Sequence, residues 1–296
     1  MIRFSVIITT YNRKKQLEKA VKSVIDQTYP YFEIIIVDDA SSEPHLISKK
    51  NHRQDNVRVV RHESSQGVSA ARNMGIEQAR FRYLVFLNDN NEFHPEYLEE
   101  MVRLLETWPD LDFAWCGRRS RIFDSTSCVE EKESIYSANS YMDVDPCPML
   151  AYWTNSPGVM IRKKVFNRIG LFDTTLTTAE DPDLLLRMLD AGMQFAAVPK
   201  VLISVNSYPA DRSRRDASRK EADNLTRMIQ KNQAFLNRHR HAWAYYMKSL
   251  VVACYRAKNS ADARRRLFEL ILKRPSALPL GLRALEYEIK NLLNQS

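Results

Sequence analysis

Glycine is scarce in this 296-residue chain, seven in all, which excludes collagen-like repeats and Gly-rich low-complexity architectures. Cysteine is scarcer still. Cys116, Cys128, Cys147 and Cys254 stand far apart without CxxC spacing, so they read as reduced thiols and not as a disulfide framework or a metal site. No stretch approaches the ~18–20 uninterrupted apolar residues of a membrane span. The opening MIRFSVIITTYN enters a strand pattern directly and lacks a small-residue cleavage site, so the expectation is a cytoplasmic chain without a signal peptide. A Gly-rich, lysine-bearing phosphate loop is missing near the N-terminus, which disfavours a nucleotidyltransferase of α/β layout.

What is present is ordinary globular composition with an uneven charge. Apolar residues make up 44% and charged residues 27%, enough to bury a sizeable core. The net charge is +8, yet residues 211–296 hold 19 basic against 8 acidic side chains, and the first 210 hold 25 against 28. A nearly neutral body therefore carries a strongly basic tail, which suits an acidic partner or a solvated helical face.

Along the body, strands and helices alternate. Phe4–Thr9 and FEIIIV at 32–37 are β-branched runs of the buried parallel type. Between them Leu17, Val21, Val24 and Ile25 recur at helical spacing. A strand at 57–60, a helix over 68–78, a strand YLVFL at 83–87 and a helix opened by Pro95 and running to about 106 complete the pattern. This predicts a doubly wound α/β sandwich. Beyond about 125 the pattern loosens, and from Lys220 it turns helical over 225–236, 243–257 and 261–272. The predicted division is 1–210 (halves about 1–110 and 111–210) and a basic helical extension, 211–296, with the break near 207–215.

Three successive strand ends are polar: Thr9-Thr10-Tyr11-Asn12, Asp38-Asp39 and Asn88-Asp89-Asn90. Ligands of open α/β sheets bind beyond the carboxyl ends of the strands, so these ends predict a shared crevice.

Five motifs in order carry a resemblance: SVIITTYNR, VDDASS at 37–42, GVSAARNMG at 67–75, the polar cluster after YLVFL, and EDPDLLLRMLDAG at 180–192. Together they resemble the inverting glycosyltransferases of family two, over about residues 3–205, and the opening resembles the spore-coat polysaccharide glycosyltransferase type. The resemblance implies a GT-A Rossmann-like nucleotide-binding sandwich. It also implies transfer of a sugar from a UDP- or dTDP-sugar donor to a hydroxyl of a glycan or lipid-linked acceptor.

Residue by residue, the resemblance places Thr9 and Tyr11 around the base and gives base reading to Asp39. A carboxylate there suits the N3–H of uracil or thymine, a donor that cytosine lacks; Asp38 and Asp39 equally suit helix capping. Arg72, with Asn73 beside it at the start of a helix, suits a charge-assisted fork to the diphosphate, or a solvated tip. Gly67 suits the turn before them. Where the family carries Asp-X-Asp for Mg2+ or Mn2+, this chain reads Asn88-Asp89-Asn90. An amide ligates a hard cation without the charge that tightens the site. Asp89 and Asn90 thus form a weak or absent metal site, Asp89 and Glu92 remaining as carboxylate ligands or ribose contacts, and Arg72 or basic residues of 212–215 stand in for the metal.

Asp181 matches the family's general base for single displacement, with Glu180 on the acceptor side and able to raise the pKa of its neighbour. Its alternative is the N-cap of the helix that Pro182 opens. Trp153 suits stacking on an acceptor sugar or a place in the core. Histidines 45, 94, 239 and 241 lack partners at ligand spacing.

In the tail, Tyr245, Tyr246 and Tyr255 interleave with basic residues, but no nucleic-acid fold accompanies them, so no nucleic-acid partner is expected. An anionic membrane surface, packing on the body and a homodimer contact remain as readings. A catalytically impaired sugar-nucleotide-binding or scaffold protein of the same fold is the alternative function.

Overall fold

The computed structural model describes residues 1–43, 56–124, 127–135, 158–208 and 214–273. Two compact units, Met1–Ala210 and Asp211–Ser296, divide the chain.

In the first unit, strands β1 (Phe4–Thr10), β2 (Phe32–Asp38), β3 (Val57–Arg61) and β4 (Tyr83–Asn88) run parallel. The sheet order is β3-β2-β1-β4-β8-β6-β9-β5, with β7 paired to β6. The chain thus winds outward from β1 to β3, then returns to place β4 on the other side of β1. That reversal is the topological switch point at which the crevice of a doubly wound sheet opens. β1 and β2 are buried at every position, as expected of parallel strands covered on both faces.

Helix α1 (Lys14–Ile25) covers one face with Leu17, Ala20, Val21 and Val24 and leaves its lysines outside. Helix α2 (Val68–Gln78) lies close against β1. A Cβ on Gly75 would stand 2.4 Å from Ile7 Cγ2, so only glycine permits this approach. Helix α3 (Tyr97–Thr107) begins two residues after Pro95.

Beyond about 125, where the pattern loosens, the described residues still form regular strands and helices, and they join a strand that precedes them. β6 (Phe113–Asp124) and β9 (Phe195–Ser207) are long parallel neighbours. β5 (Asn91–Phe93), β7 (Ser127–Ser134) and β8 (Val159–Arg162) pair antiparallel to their partners. The outer half of β6, RRSRIFD, is charged and partly exposed, so it lacks the apolar run by which the inner strands are legible. Helices α4 (Lys164–Ile169) and α5 (Glu180–Asp190) complete the unit.

The second unit is helical: α6 (Arg214–Lys231), α7 (Gln233–Arg238), α8 (Arg240–Arg256) and α9 (Ser260–Lys273). The single helix expected over 225–236 is broken at Asn232. Its backbone N–H keeps the helical bond to the Met228 carbonyl at 3.1 Å, and its side-chain amide donates to the same oxygen at 3.0 Å as a local competitor. α8 packs on both α6 and α9, burying Met247, Leu250, Val251 and Cys254 among Leu225, Met228, Leu267 and Leu270. Tyr246 and Tyr255 are also buried, so two of the three interleaved tyrosines serve the unit's own core.

Candidate active site

The polar strand ends converge. Asp39 N–H donates to the Thr10 carbonyl at 2.9 Å, tying the end of β2 to that of β1. Asn12, in the left-handed region at φ 55°, accepts from Ser42 N at 2.8 Å and donates its own N–H to Ser41 Oγ at 2.8 Å. Across the switch point, Thr10 Oγ1 donates to Asp89 Oδ2 at 2.9 Å and Arg13 to Asp89 Oδ1 at 3.2 Å. Thr9 is buried between Val37 and Asn88 in register, and Tyr11 is exposed at the rim.

Asp39 is fully engaged. Its Oδ1 meets His62 Nδ1 at 2.7 Å and Gln66 N at 2.8 Å; its Oδ2 accepts from Ser65 Oγ at 2.8 Å and Gly67 N at 2.9 Å. Burial alone would push this carboxyl up, but the bonds from Gln66, His62, Ser65 and Gly67 outweigh it and hold it below the usual range. The carboxylate therefore shapes the turn into α2, where Gly67 takes φ 89°. His62, a partner that the sequence reading passed over, lies 23 positions from Asp39; no spacing rule connects them. Asp38 accepts from Ser41 N at 2.9 Å and from Arg61 at 2.5 Å, closing a turn after β2 and not the helix cap that the sequence suggests.

The densest electrostatics surround Arg72, a buried side chain on α2. One nitrogen donates to Asp181 Oδ1 at 2.8 Å and Glu180 Oε1 at 3.1 Å, and the other to Asn88 Oδ1 at 3.2 Å. The Phe172 ring lies 5.2 Å from its guanidinium carbon. Arg72 thus has no solvated tip, and it is committed to carboxylates instead of standing free for a diphosphate. Asn73, its neighbour, holds the 170–179 segment by exchanging two bonds with the Phe172 backbone, each 2.9 Å, and Ser69 donates to the Leu176 carbonyl at 3.0 Å.

That segment delivers α5. Ala179 stands at its cap in the left-handed region, φ 83°, a conformation that costs a non-glycine residue about 1–2 kcal/mol. Asp181 is consequently not the N-cap: the helix begins at Glu180, and Glu180, Asp181 and Asp183 all fall in its first turn. Carboxylates there face the positive end of the helix. Burial first, then the charge of Asp181, pushes the Glu180 carboxyl up, with Arg72 opposing.

The donor set for a divalent cation is poor. Asn88 is occupied by Arg72, and the Asn90 amide donates to the Asn206 carbonyl at 2.6 Å. Asp89 lies against Thr10 and Arg13; burial raises its pKa while Arg13 and Thr10 pull it down. Among the described residues no three His, Cys, Asp or Glu side chains group at ligand spacing. Mg2+ is commonly held by one or two carboxylates together with substrate phosphates and water; in this turn Asp89 is the one carboxylate, and Thr10 and Arg13 already bond it. The Asn206 Oδ1, buried beside this turn on β9, has no hydrogen-bond partner among the described residues, and Glu92 accepts from the same amide at 3.1 Å. Trp153 and residues 211–213 lie outside the described residues.

The family model described as glycosyl transferase family 2 matches residues 5–170. An uncharacterized glycosyltransferase of Haemophilus influenzae is 31% identical over 194 residues, 62% of this chain and 61% of that protein. Glycosyltransferase AglE of Haloferax volcanii is 29% identical over 200 residues, 64% of this chain and 62% of that one. These alignments cover less than two thirds of either relative. Among solved structures, S. aureus TarS aligns at TM-score 0.65 and 17% identity over 98% of this chain and 54% of its own. TarS 1-349 in complex with UDP aligns at 0.59 and 18% identity over 93% and 92%. The fold is the GT-A α/β sandwich with C-terminal helices, and the chain belongs to glycosyl transferase family 2.

Proposed function

We propose that this chain is an inverting glycosyltransferase that moves a sugar from a UDP- or dTDP-sugar to a hydroxyl of a glycan or lipid-linked acceptor. The observation that carries the reading is the buried cluster of Asp181, Glu180, Arg72 and Asn88, which joins α5 to the carboxyl end of β4 beside the switch point. The UDP and UDP-GlcNAc complexes of TarS, which shares the fold, support a uridine donor.

In this mechanism Asp181 takes the proton of the acceptor hydroxyl as its oxygen attacks the anomeric carbon from the face opposite the nucleotide. The glycosidic bond to the diphosphate breaks in the same step. Thr9 and Tyr11 flank the base. A pyrimidine N3–H reaches Asp39 by displacing one of its four donors, the exposed Ser65 hydroxyl being the least constrained. With Arg72 committed to carboxylates, Arg13 supplies positive charge to the leaving diphosphate; its half-exposed side chain lies at the crevice mouth on Asp89. A divalent cation is not required in this scheme.

The second unit docks the enzyme on an anionic membrane. Arg264, Phe268 and Leu272 follow one another at four-residue spacing on α9 and are all exposed, a stripe suited to lipid headgroups and acyl chains. Among the described residues no helix is long and apolar enough to cross a membrane.

Assaying UDP- and dTDP-sugars for turnover, with and without Mn2+, tests the reading. Asp181→Asn is expected to lose about 10²–10⁴ in rate while retaining nucleotide binding. Unchanged turnover in that variant would remove Asp181 as the base. Nucleotide binding without turnover under any condition establishes the impaired binding protein instead, a reading favoured by the amides at 88 and 90.

A further inference from the structure

The second unit contains a cavity of about 790 Å³, set wholly within its own helices. Its walls come from α6, the end of α8, the turn into α9 and the first two turns of α9. Four cations line it, Arg219, Arg227, Lys258 and Arg266, together with Asp223 and Asp262. The volume lies within the range of small-ligand sites, roughly 300–1,000 Å³.

The charges in this cavity are not evenly matched. Asp262 is spoken for: Arg265 donates to its Oδ1 at 2.7 Å, and Arg266 and the Cys254 thiol reach its Oδ2 at 2.9 and 3.5 Å. Arg266 is held on its other side by Thr226 Oγ1 at 3.2 Å. The side chains of Arg219, Arg227 and Lys258, by contrast, make no ion pair or hydrogen bond among the described residues, Lys258 bonding only through its backbone N–H to the Tyr255 carbonyl at 3.0 Å. Against these three open cations stands a single open carboxylate, Asp223, on the same face of α6 as Arg219 and Arg227 at four-residue spacing. Lys258 takes φ 58° in the left-handed region, where glycine is the usual occupant. A lysine is kept there although side-chain-bearing residues rarely adopt that conformation.

We propose that this cavity binds the phosphate of a polyol or sugar phosphate. Arg219, Arg227 and Lys258 would engage the phosphate oxygens, and Asp223 would accept from hydroxyls on the attached carbon chain. A nucleic-acid strand is disfavoured, because among the described residues no aromatic side chain lines the cavity for base stacking. Covalent chemistry is disfavoured too: burial, then the charge of Asp262, pushes the Cys254 thiol up to about 11, so the thiolate is scarce at neutral pH. The proposal goes beyond the transferase reading and does not depend on it.

The test is calorimetric titration of the full chain with glucose 1-phosphate and glycerol 3-phosphate, with glucose and sulfate at matched ionic strength as controls. In parallel, co-sedimentation with phosphatidylglycerol and phosphatidylcholine vesicles is measured. Arg227→Gln/Lys258→Gln, two exposed side chains outside the core, is expected to weaken phosphate-ester binding at least tenfold. Asp181→Asn should leave that binding unchanged. Binding of the soluble esters assigns the site to a free phosphate. Binding only to phosphatidylglycerol vesicles, lost in the double variant, assigns it to a lipid headgroup. Sulfate binding as tightly as the esters, affinity indifferent to the double substitution, or no binding in either arm overturns the proposal.

Discussion

Arg72 is the side chain whose removal should be felt most. Its guanidinium is 3% exposed and bonds two carboxylates that are themselves 3% and 10% exposed. At about 4 Å and an effective dielectric of ~20, each pair is worth about 4 kcal/mol of attraction. Desolvation offsets much of that, so the pair adds little to net stability while intact. Removing only the cation is different, because two adjacent carboxylates are left buried and facing each other. Arg72→Met keeps the stem and the contact with Phe172 while deleting the charge, and should destabilise the first unit by about 3–5 kcal/mol. At roughly 2–4 °C per kcal/mol for a unit of this size, the melting temperature falls by about 6–20 °C.

The deficit should depend on pH. Burial and the charge of Asp181 already push Glu180 up, and losing Arg72 removes what opposes them; the resulting contribution is present below the unfolded carboxyl value and lost as pH rises through the folded one. Thermal and urea unfolding followed by circular dichroism should therefore show a smaller deficit near pH 5 than near pH 8. Adding Glu180→Gln and Asp181→Asn to Arg72→Met should restore most of the loss. A deficit under about 1 kcal/mol, or one equal at both pH values, refutes the charge argument.

Gly75→Ala places a methyl carbon 2.4 Å from Ile7 Cγ2; overpacking should cost about 1–3 kcal/mol, measured by urea unfolding. Asp39→Asn removes the charge that organises 62–67. Because the folded-state pKa of Asp39 is depressed, its contribution is present above about pH 3.9 and lost as pH falls through the folded value. The variant should be less stable at neutral pH by about 1.5–3 kcal/mol and converge on the parent in acid. A gap that persists unchanged below pH ~3 counts against that account.

The inner sheet was legible in the sequence because its strands are continuous apolar runs bounded by polar ends. Phe4–Thr9, 32–37 and 83–87 each fall on an observed strand. The outer half was not: β6 passes from the apolar FAWC into the charged RRSR, and what makes it one strand is its pairing with β9, some 80 positions away. Within the site, the five motifs marked Asp39, Arg72, Asp89, Glu180 and Asp181 by position. They did not disclose that Arg72 faces Asp181 across 109 positions, nor that Asp39 is saturated by His62 and the Gly67 turn. The cap at Ala179 was equally hidden, since a left-handed alanine has no sequence signature and arises from the bonds that α2 makes to the 170–179 segment.

The sequence by itself thus determined the family, the parallel core, the strand ends that supply chemistry and the basic tail. These depend on local pattern and composition, which need no partner to be read. Only the tertiary structure decided how the charges are spent: Arg72 on carboxylates, Arg13 on Asp89, and three cations of the second unit on nothing among the described residues. Pairing of charges depends on distances between segments remote in the chain, and it is folding, not spacing, that sets those distances.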